Sequence, residues 1–201
     1  MRLAFLLTLP LLAQPAAESR AHNQRGEAAF RDGRIEESIR EFDKAIALEP
    51  RLAPYHWQRG ISLYYVDRFD DCRKQFELHK TVNPEDVENS VWHFLCAARA
   101  KSAAEARKNL IEIRNDGRVP MMQVFAMFRD EMTPEQVLKT AGGNRDAQFY
   151  AHLYIGLWHE AYGRAKEAAA HLRKAAGEYS ADHYMGDVAR IHVARLKKPG
   201  R

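Results

Sequence analysis

Cysteine is scarce in this chain of 201 residues, which contains only Cys72 and Cys96. Neither belongs to a Cys-x-x-Cys pair of the kind that binds zinc or supports redox chemistry. Free cysteine packs as a small apolar residue, so we expect two buried thiols. A disulfide between them is the alternative that an oxidising compartment permits.

The motifs of the common enzyme classes are also missing. The sequence has no glycine-rich phosphate loop and no Gly-x-Ser-x-Gly. His159-Glu160 begins a zinc-protease motif, but position 163 is glycine where the second histidine would stand. A nucleophilic Cys96 assisted by His93 or His79 would be the remaining route to a hydrolase. Buried cysteines are usually inert, so we expect no enzyme and no cofactor.

Positive charge is present but not concentrated. The formal net charge is +4, and acidic and basic residues alternate along the chain. A nucleic-acid-binding protein would group its Lys and Arg on one face, so no nucleic-acid partner is expected.

Long apolar runs are absent apart from residues 3–13, which follow Arg2 and are too short to span a bilayer. A short apolar core behind a positive charge and before small residues is typical of a secretory signal peptide, assigned here to residues 1–21. Cleavage after Ala13 or after Ala21 fits equally, and a buried N-terminal helix is the alternative. No cysteine lies near this junction for lipid attachment. We therefore expect a mature protein that is not membrane-spanning and is exported, either periplasmic or secreted.

A repeat of 34 residues organises the remainder. His22-x-x-Arg25-Gly26, Phe42 and Pro50 are followed at that spacing by His56-x-x-Arg59-Gly60, Phe76 and Pro84. A small residue in the first helix, an aromatic residue in the second and a closing proline resemble the tetratricopeptide repeat (TPR). The resemblance implies helical hairpins that stack because one hairpin cannot bury its apolar face alone.

The fold class predicted is therefore all-α, a right-handed TPR solenoid of helical hairpins over residues 22–198. Four repeats are expected, at about 19–51, 53–85, 87–118 and 149–180, with the third one degenerate. The second helix of the third repeat is predicted over residues 103–115. A helical insert occupies 120–144, with helices at 121–128 and about 134–140, and a capping helix occupies 181–196.

The order of these parts also resembles the periplasmic TPR lipoproteins that act as adaptors for envelope proteases and murein hydrolases. That resemblance implies an adaptor function with a protein or peptide partner. The missing lipid-site cysteine departs from it, so the resemblance does not extend to membrane anchoring.

In TPR proteins the first helix of each hairpin usually lines a concave ligand groove, which aromatic and arginine side chains suit. We name the eight predicted ligand residues the groove set: Phe30, Arg31, Trp57, Ile61, Tyr64, Tyr65, Arg99 and Tyr150. The alternative is that the aromatic members pack against the chain's own middle segment.

A second group consists of histidines and cysteines at positions that repeats usually fill with apolar residues. Cys72 and His79 would lie beside His93 and Cys96, and these four are the metal-ligand candidates. The preferred interpretation is a buried polar network without metal. A third hypothesis is a structural homodimer formed through the Met-rich insert Met121–Met132.

Overall fold

The structure, a computed structural model, describes residues 13–196. Most of the predicted signal peptide, residues 1–12, lies outside the described residues. The helices are α1 (Ala13–Arg31), α2 (Ile35–Leu48), a 3-10 helix (Pro50–Tyr55), α3 (Trp57–Tyr65), α4 (Phe69–His79), α5 (Val87–Ala100), α6 (Ala103–Lys108), α7 (Met121–Phe128), α8 (Pro134–Ala141), α9 (Arg145–Ala161), α10 (Ala165–Ala176) and α11 (Tyr184–Leu196). Over this range there is no strand. No helix in it combines the length and the apolar character needed to cross a membrane.

Three hairpins are held together by the same small-against-large contact. A Cβ atom added to Gly26 would lie 2.7 Å from the ring of Phe42, and one added to Gly60 would lie 2.8 Å from Phe76. In the last hairpin Gly156 meets Leu172 in the same way, at 2.6 Å. The small and the aromatic residues of the 34-residue repeat are thus the ones at which the two helices of a hairpin pack closely. The sequence predicted these helical hairpins.

The turns inside these hairpins share one backbone conformation. Gly33 and Gly163 have φ angles of 76° and 73°, and Asp67 occupies the equivalent position in the second hairpin at 60°. Glycine reaches this left-handed region without steric cost, and aspartate tolerates it better than most residues.

The third hairpin departs from the prediction, because α6 ends at Lys108 instead of continuing to 115. The backbone groups of the segment after Lys108 form hydrogen bonds with side chains from earlier in the chain. Ser90 Oγ donates to the carbonyl of Ile111 at 2.6 Å. A carboxylate oxygen of Glu85 accepts from the backbone N–H of Arg114 at 2.7 Å and of Asn115 at 3.2 Å. These bonds replace the ones that a longer helix would supply.

The insert forms the two predicted helices, α7 and α8. Thr133 and Gln136 form a reciprocal capping box at the start of α8. The apolar side of α7 faces inward, where it packs against α5 and α9, and the rings of Phe94 and Phe128 meet edge to face at 5.1 Å. Met121 and Phe125 are buried by this packing, whereas Met122 and Met132 are half-buried, and dimerisation through the insert stays a prediction.

The first helix extends into the segment assigned to the signal peptide. It begins at Ala13, and Ser19 is buried with its Oγ donating to the carbonyl of Ala45 at 3.0 Å. Residues before Ala21 are therefore part of the packed interface between α1 and α2.

Candidate functional site

The helix α11 covers part of the predicted ligand groove and contacts α1, the first helix that the structure describes. It packs against α10, as expected for a capping helix, and also against α1. Arg31 Nε donates to Asp187 Oδ2 at 3.2 Å, and the hydroxyl of Tyr65 lies 3.0 Å from His192 Nδ1. Arg195 donates to the carbonyl of Tyr65. The groove is thus filled over the first two hairpins by the chain's own C-terminal helix.

Four members of the groove set are consequently buried. Phe30 and Ile61 are fully buried, and Tyr64 and Tyr65 are each 3% exposed. The expectation that Phe30 faces an open groove is wrong, because the ring of Tyr184 stacks on it with centroids 5.0 Å apart. Tyr65 bonds to His192 of α11, whereas Tyr64 contacts Trp92 of α5 and Glu160 of α9. The partners of these aromatic rings thus lie on α5, α9 and α11, and not on the middle segment that the packing alternative named.

The other four members of the groove set keep some exposure. Arg31 and Arg99 are exposed, and Trp57 and Tyr150 are half-buried. The guanidinium of Arg99 lies 4.9 Å above the ring of Phe69 and 3.6 Å from Asp67, so its orientation is fixed by neighbours. Trp57 meets the ring of Tyr184 edge to face at 5.2 Å. Ligand binding by the groove set stays a prediction.

Beside Trp57 lies a cavity of about 210 Å³, which we call the inner cavity. Side chains from α3, α4, α5, the segment after α6 and α11 enclose it. Its lining consists of Trp57, Phe76, His79, Asn83, Asp86, Glu88, Asn89, Trp92, Arg118 and Met185. Met185, which lies on α11, is the contribution of that helix to the lining.

Two lining side chains carry polar atoms with no hydrogen-bond partner. Both amide atoms of Asn89, Oδ1 and Nδ2, are unpaired, and so is the indole Nε1 of Trp92. Each residue is 1% exposed. Nearly all buried polar groups in folded proteins are hydrogen-bonded, so leaving this amide and this indole N–H unpaired in the core costs stability.

Asp86, Glu88 and Arg118 form another wall, and Asp116 lies beside Arg118 outside the lining. Arg118 donates to Asp86 at 2.5 Å, to Asp116 at 2.6 Å and to Glu88 at 2.6 Å. Burial raises the pKa of Glu88, an effect that the charge of Arg118 only partly offsets. Tyr154 also donates its hydroxyl proton to Glu88. Three carboxyl groups thus surround one cation, and the local charge is negative when they are ionised.

The cysteines form a disulfide, so the expectation of two buried thiols is wrong. Cys72 on α4 and Cys96 on α5 are bonded, with their Cα atoms 5.9 Å apart. Thiolate ligands are therefore not available to the proposed four-residue metal set. Among residues 13–196 no group of three or more His, Cys, Asp or Glu side chains is arranged to hold a metal ion.

The two histidines of that set have separate partners. His79 Nδ1 lies 2.8 Å from the carbonyl of Pro54, and His93 Nε2 lies 3.4 Å from a carboxylate oxygen of Glu77. Burial lowers the pKa of His93, and Glu77 opposes that effect. The sequence interpretation of a buried polar network describes these two side chains correctly.

Sequence reasoning did not find Asn89, Glu88 or Arg118. Asn89 and Trp92 are three residues apart and share a face of α5, which was a usable signal. Arg118 lies on the irregular segment after α6, about 30 residues further along the chain than Asp86 and Glu88. No local pattern links these positions.

The comparison with known families agrees with the repeat analysis. Residues 19–52 match the family of the tetratricopeptide repeat. No protein of curated function is significantly similar to the chain. Residues 19–52 are thus identified as a tetratricopeptide repeat, and the all-α stack of hairpins around them has the architecture of a TPR helical solenoid.

Proposed function

We propose that the protein is an exported TPR scaffold that holds a partner protein through an extended segment of that partner. The observation that carries the proposal is the inner cavity, with the half-buried indole of Trp57 at its edge. The TPR match supports a protein-interaction function. The order of the repeats, which resembles that of periplasmic TPR lipoproteins, supports an adaptor role.

Export is supported by the disulfide and by the apolar N-terminal run. Disulfides persist mainly in oxidising compartments, and Cys72–Cys96 is fully buried in the core. Cleavage after Ala13 is preferred over cleavage after Ala21, because the later cut would remove Ser19 and its bond to Ala45. The intact mass of protein recovered from its native host tests this. Loss of residues 1–13 is expected, and a mass that retains them would contradict export.

Partner binding is tested by affinity capture from an envelope extract. The binding variant is Trp57→Ala with Arg99→Ala, which removes two accessible members of the groove set. Tyr64 and Tyr65 are unsuitable targets because they are buried. The matched control is Tyr55→Ala, which removes an aromatic side chain that is 56% exposed on the adjacent 3-10 helix.

Capture of the same partners by wild type and by the Tyr55 control, and their loss in the Trp57/Arg99 variant, is the expected result. Interface energy is concentrated in a few aromatic and arginine anchors, so this double change should lower capture at least tenfold. Circular dichroism should show equal helical content in all three proteins. Equal capture by all three would contradict a binding role for this surface.

Neither rival function is favoured by a structural observation. A metalloprotein would need the thiolates that the disulfide consumes. A dimer through the insert would need Met121 and Phe125 at the surface, where they are not. Elemental analysis and size-exclusion chromatography of the purified protein examine these two functions directly.

A further inference from the structure

We propose that the last hairpin contains a pH-sensitive switch, in which three uncharged histidines hold α10 against α9 and acid releases α10. The histidines are His152 and His159 on α9 and His171 on α10, which we call the histidine cluster. This inference concerns regulation and goes beyond the proposed scaffold function. Its test needs no partner protein, so the two are judged separately.

The imidazole rings of the cluster lie next to one another in the contact between α9 and α10. His171 Nδ1 lies 2.8 Å from His152 Nδ1, and the centroids of these two rings are 5.0 Å apart. The ring of His171 also stacks on that of His159, with centroids 5.7 Å apart. Tyr179 stacks on His152 at 5.1 Å. The cluster is therefore part of the packing between the two helices.

The bond between His152 and His171 limits the number of protons that the pair can hold. One Nδ1 atom must donate a hydrogen, and the other must accept it through a lone pair. A single added proton is compatible with this bond, whereas a second one places two N–H groups and two positive charges against each other. A charged His159 would carry an Nδ1–H group at a buried position that has no hydrogen-bond partner.

The charged groups that face the cluster lie at the surface. The carboxylates are those of Glu135 on α8, Glu167 on α10 and Glu178 after α10. The cations are Arg164 and Lys174. All five side chains are exposed, so solvent and salt screen the attraction of the carboxylates for a charged cluster.

Burial therefore dominates the proton affinity of the cluster. It lowers the pKa of His152 from 6.5 to about 4, with further lowering by the charges of His171 and Lys174. Burial is also the largest cause that lowers the pKa of His159 and of His171. A released helix binds these protons more readily than a docked one. The docked form is thus fully favoured above pH 6.5 and loses ground as the pH falls below that value.

The helix α10 has little apolar area with which to resist release. Its buried residues are Ala168, Leu172 and Ala175, so only one of them is large. The corresponding helix of the first hairpin, α2, buries two isoleucines and a phenylalanine. Because α11 packs against α10 and covers part of the predicted ligand groove, release of α10 also removes a support of that cover.

Amide hydrogen exchange of the full chain at pH 7.5 and pH 5.5 tests the switch, with correction for the intrinsic effect of pH on exchange. Protection of α10 should fall by about tenfold or more at the lower pH, since uptake of three protons shifts an equilibrium by up to roughly a thousandfold per pH unit. The loss should extend to α11. The helix α7, which contains no histidine, should keep its protection.

Two variants and a control assign the effect to the cluster. His152→Phe with His171→Phe keeps both rings and leaves neither member of the pair without its partner, so protection at pH 7.5 should change little. Its loss of protection at pH 5.5 should be about threefold smaller than that of wild type, or less. His159→Phe should reduce the loss by the share of one proton. His56→Phe is the matched control, because His56 is 6% exposed and burial lowers its pKa as well, but it precedes α3. It should leave the response of α10 unchanged.

NMR titration of the wild-type histidines adds a measurement that needs no variant. The Cε1–Hε1 signals of the cluster should remain those of uncharged rings until α10 loses protection. Signals that titrate near pH 6.5 while α10 stays protected would overturn the inference, because the docked cluster would then accommodate the charge. Equal protection of α10 at both pH values, or an equal acid response in wild type and the double variant, would overturn it too. Full protection of α11 in acid would contradict the link to the groove.

Discussion

The hydroxyl of Tyr65 lies 3.0 Å from Nδ1 of His192, across 127 residues of sequence. The other nitrogen of the same ring, Nε2, lies 3.2 Å from a carboxylate oxygen of Glu160. Burial opposes ionisation of Glu160, but its bond to His192 holds the pKa of that carboxyl below its ordinary value. One imidazole thus connects the second hairpin, the last hairpin and α11.

Replacing His192 by Phe should weaken the docking of α11. The ring keeps its size but loses both hydrogen bonds, which leaves buried groups on Tyr65 and Glu160 without this partner. A loss of about 1–3 kcal/mol in the free energy of unfolding is expected, measured by urea denaturation. His183→Phe is the control, because His183 is exposed just before α11, and its effect should stay within about 0.5 kcal/mol. Equal losses of unfolding free energy in the two variants would show that the hydrogen bonds of His192 do not contribute to stability.

Phe30→Ala should be as damaging as Phe76→Ala. Phe30 is fully buried and Phe76 is 1% exposed, so both substitutions leave a core cavity. Each should cost roughly 3–5 kcal/mol of unfolding free energy in denaturant titrations. A Phe30→Ala loss below about 1 kcal/mol would mean that α11 does not cover this ring in solution.

Reduction of the disulfide should lower stability. Cys72 and Cys96 are 24 residues apart, and a crosslink closing a loop of that length is worth about 3–4 kcal/mol through the unfolded chain. Thermal unfolding with and without a reductant measures the effect. The Cys72→Ala, Cys96→Ala double variant should unfold at the same temperature in both conditions. An oxidised wild type that does not respond to the reductant would contradict the prediction.

Stability should fall in mildly acidic solution because of His152. Burial, followed by the charges of His171 and Lys174, lowers the pKa of His152 from 6.5 to about 4. The unfolded chain binds this proton more readily than the folded one, so stability is complete above pH 6.5 and decreases as the pH falls towards 4. His152→Phe keeps the ring that stacks on Tyr179 and should lose less melting temperature between pH 7 and pH 5 than wild type. An equal loss of melting temperature in wild type and His152→Phe would show that His152 does not cause the fall in stability.

Asn89→Leu should stabilise the free protein. The amide is buried and unpaired, and such a group costs about 1–3 kcal/mol relative to an apolar side chain of the same shape. Urea denaturation should show a gain of that order. Ser90→Ala, one residue further along, removes a hydroxyl that is bonded to Ile111 and should destabilise. A loss of stability in Asn89→Leu would mean that the amide already has a partner.

Much of the fold could be predicted because its signals are local. The contacts of Gly26 with Phe42 and of Gly60 with Phe76 repeat at a fixed spacing, and the capping residue Thr133 lies next to the helix it begins. The hairpins and the insert helices follow from such patterns. The early end of α6 could not be predicted, because it depends on Glu85, about 30 residues away, which binds backbone groups that a helix would otherwise satisfy.

The candidate site could be predicted only in part for the same reason. Trp57 was assigned to the ligand surface from its place in the repeat, and it lines the inner cavity. The burial of Tyr64 and Tyr65 depends on α9 and α11, which lie about 100 residues away or more. The periodicity of the repeats predicts contacts between adjacent hairpins. It contains no information about contacts of the first two hairpins with α9 and α11.

The contact between α1 and α11 changes how the molecule should fold. An open stack of repeats gains its stability from adjacent units, so it can form piecewise and fray from its ends. Here Arg31 pairs with Asp187 over a separation of 156 residues. Such a distant contact raises the contact order and can form only after nearly the whole chain has been synthesised. We therefore expect one cooperative unfolding transition instead of sequential melting, with the first hairpin losing its protection from hydrogen exchange whenever the C-terminal helix detaches.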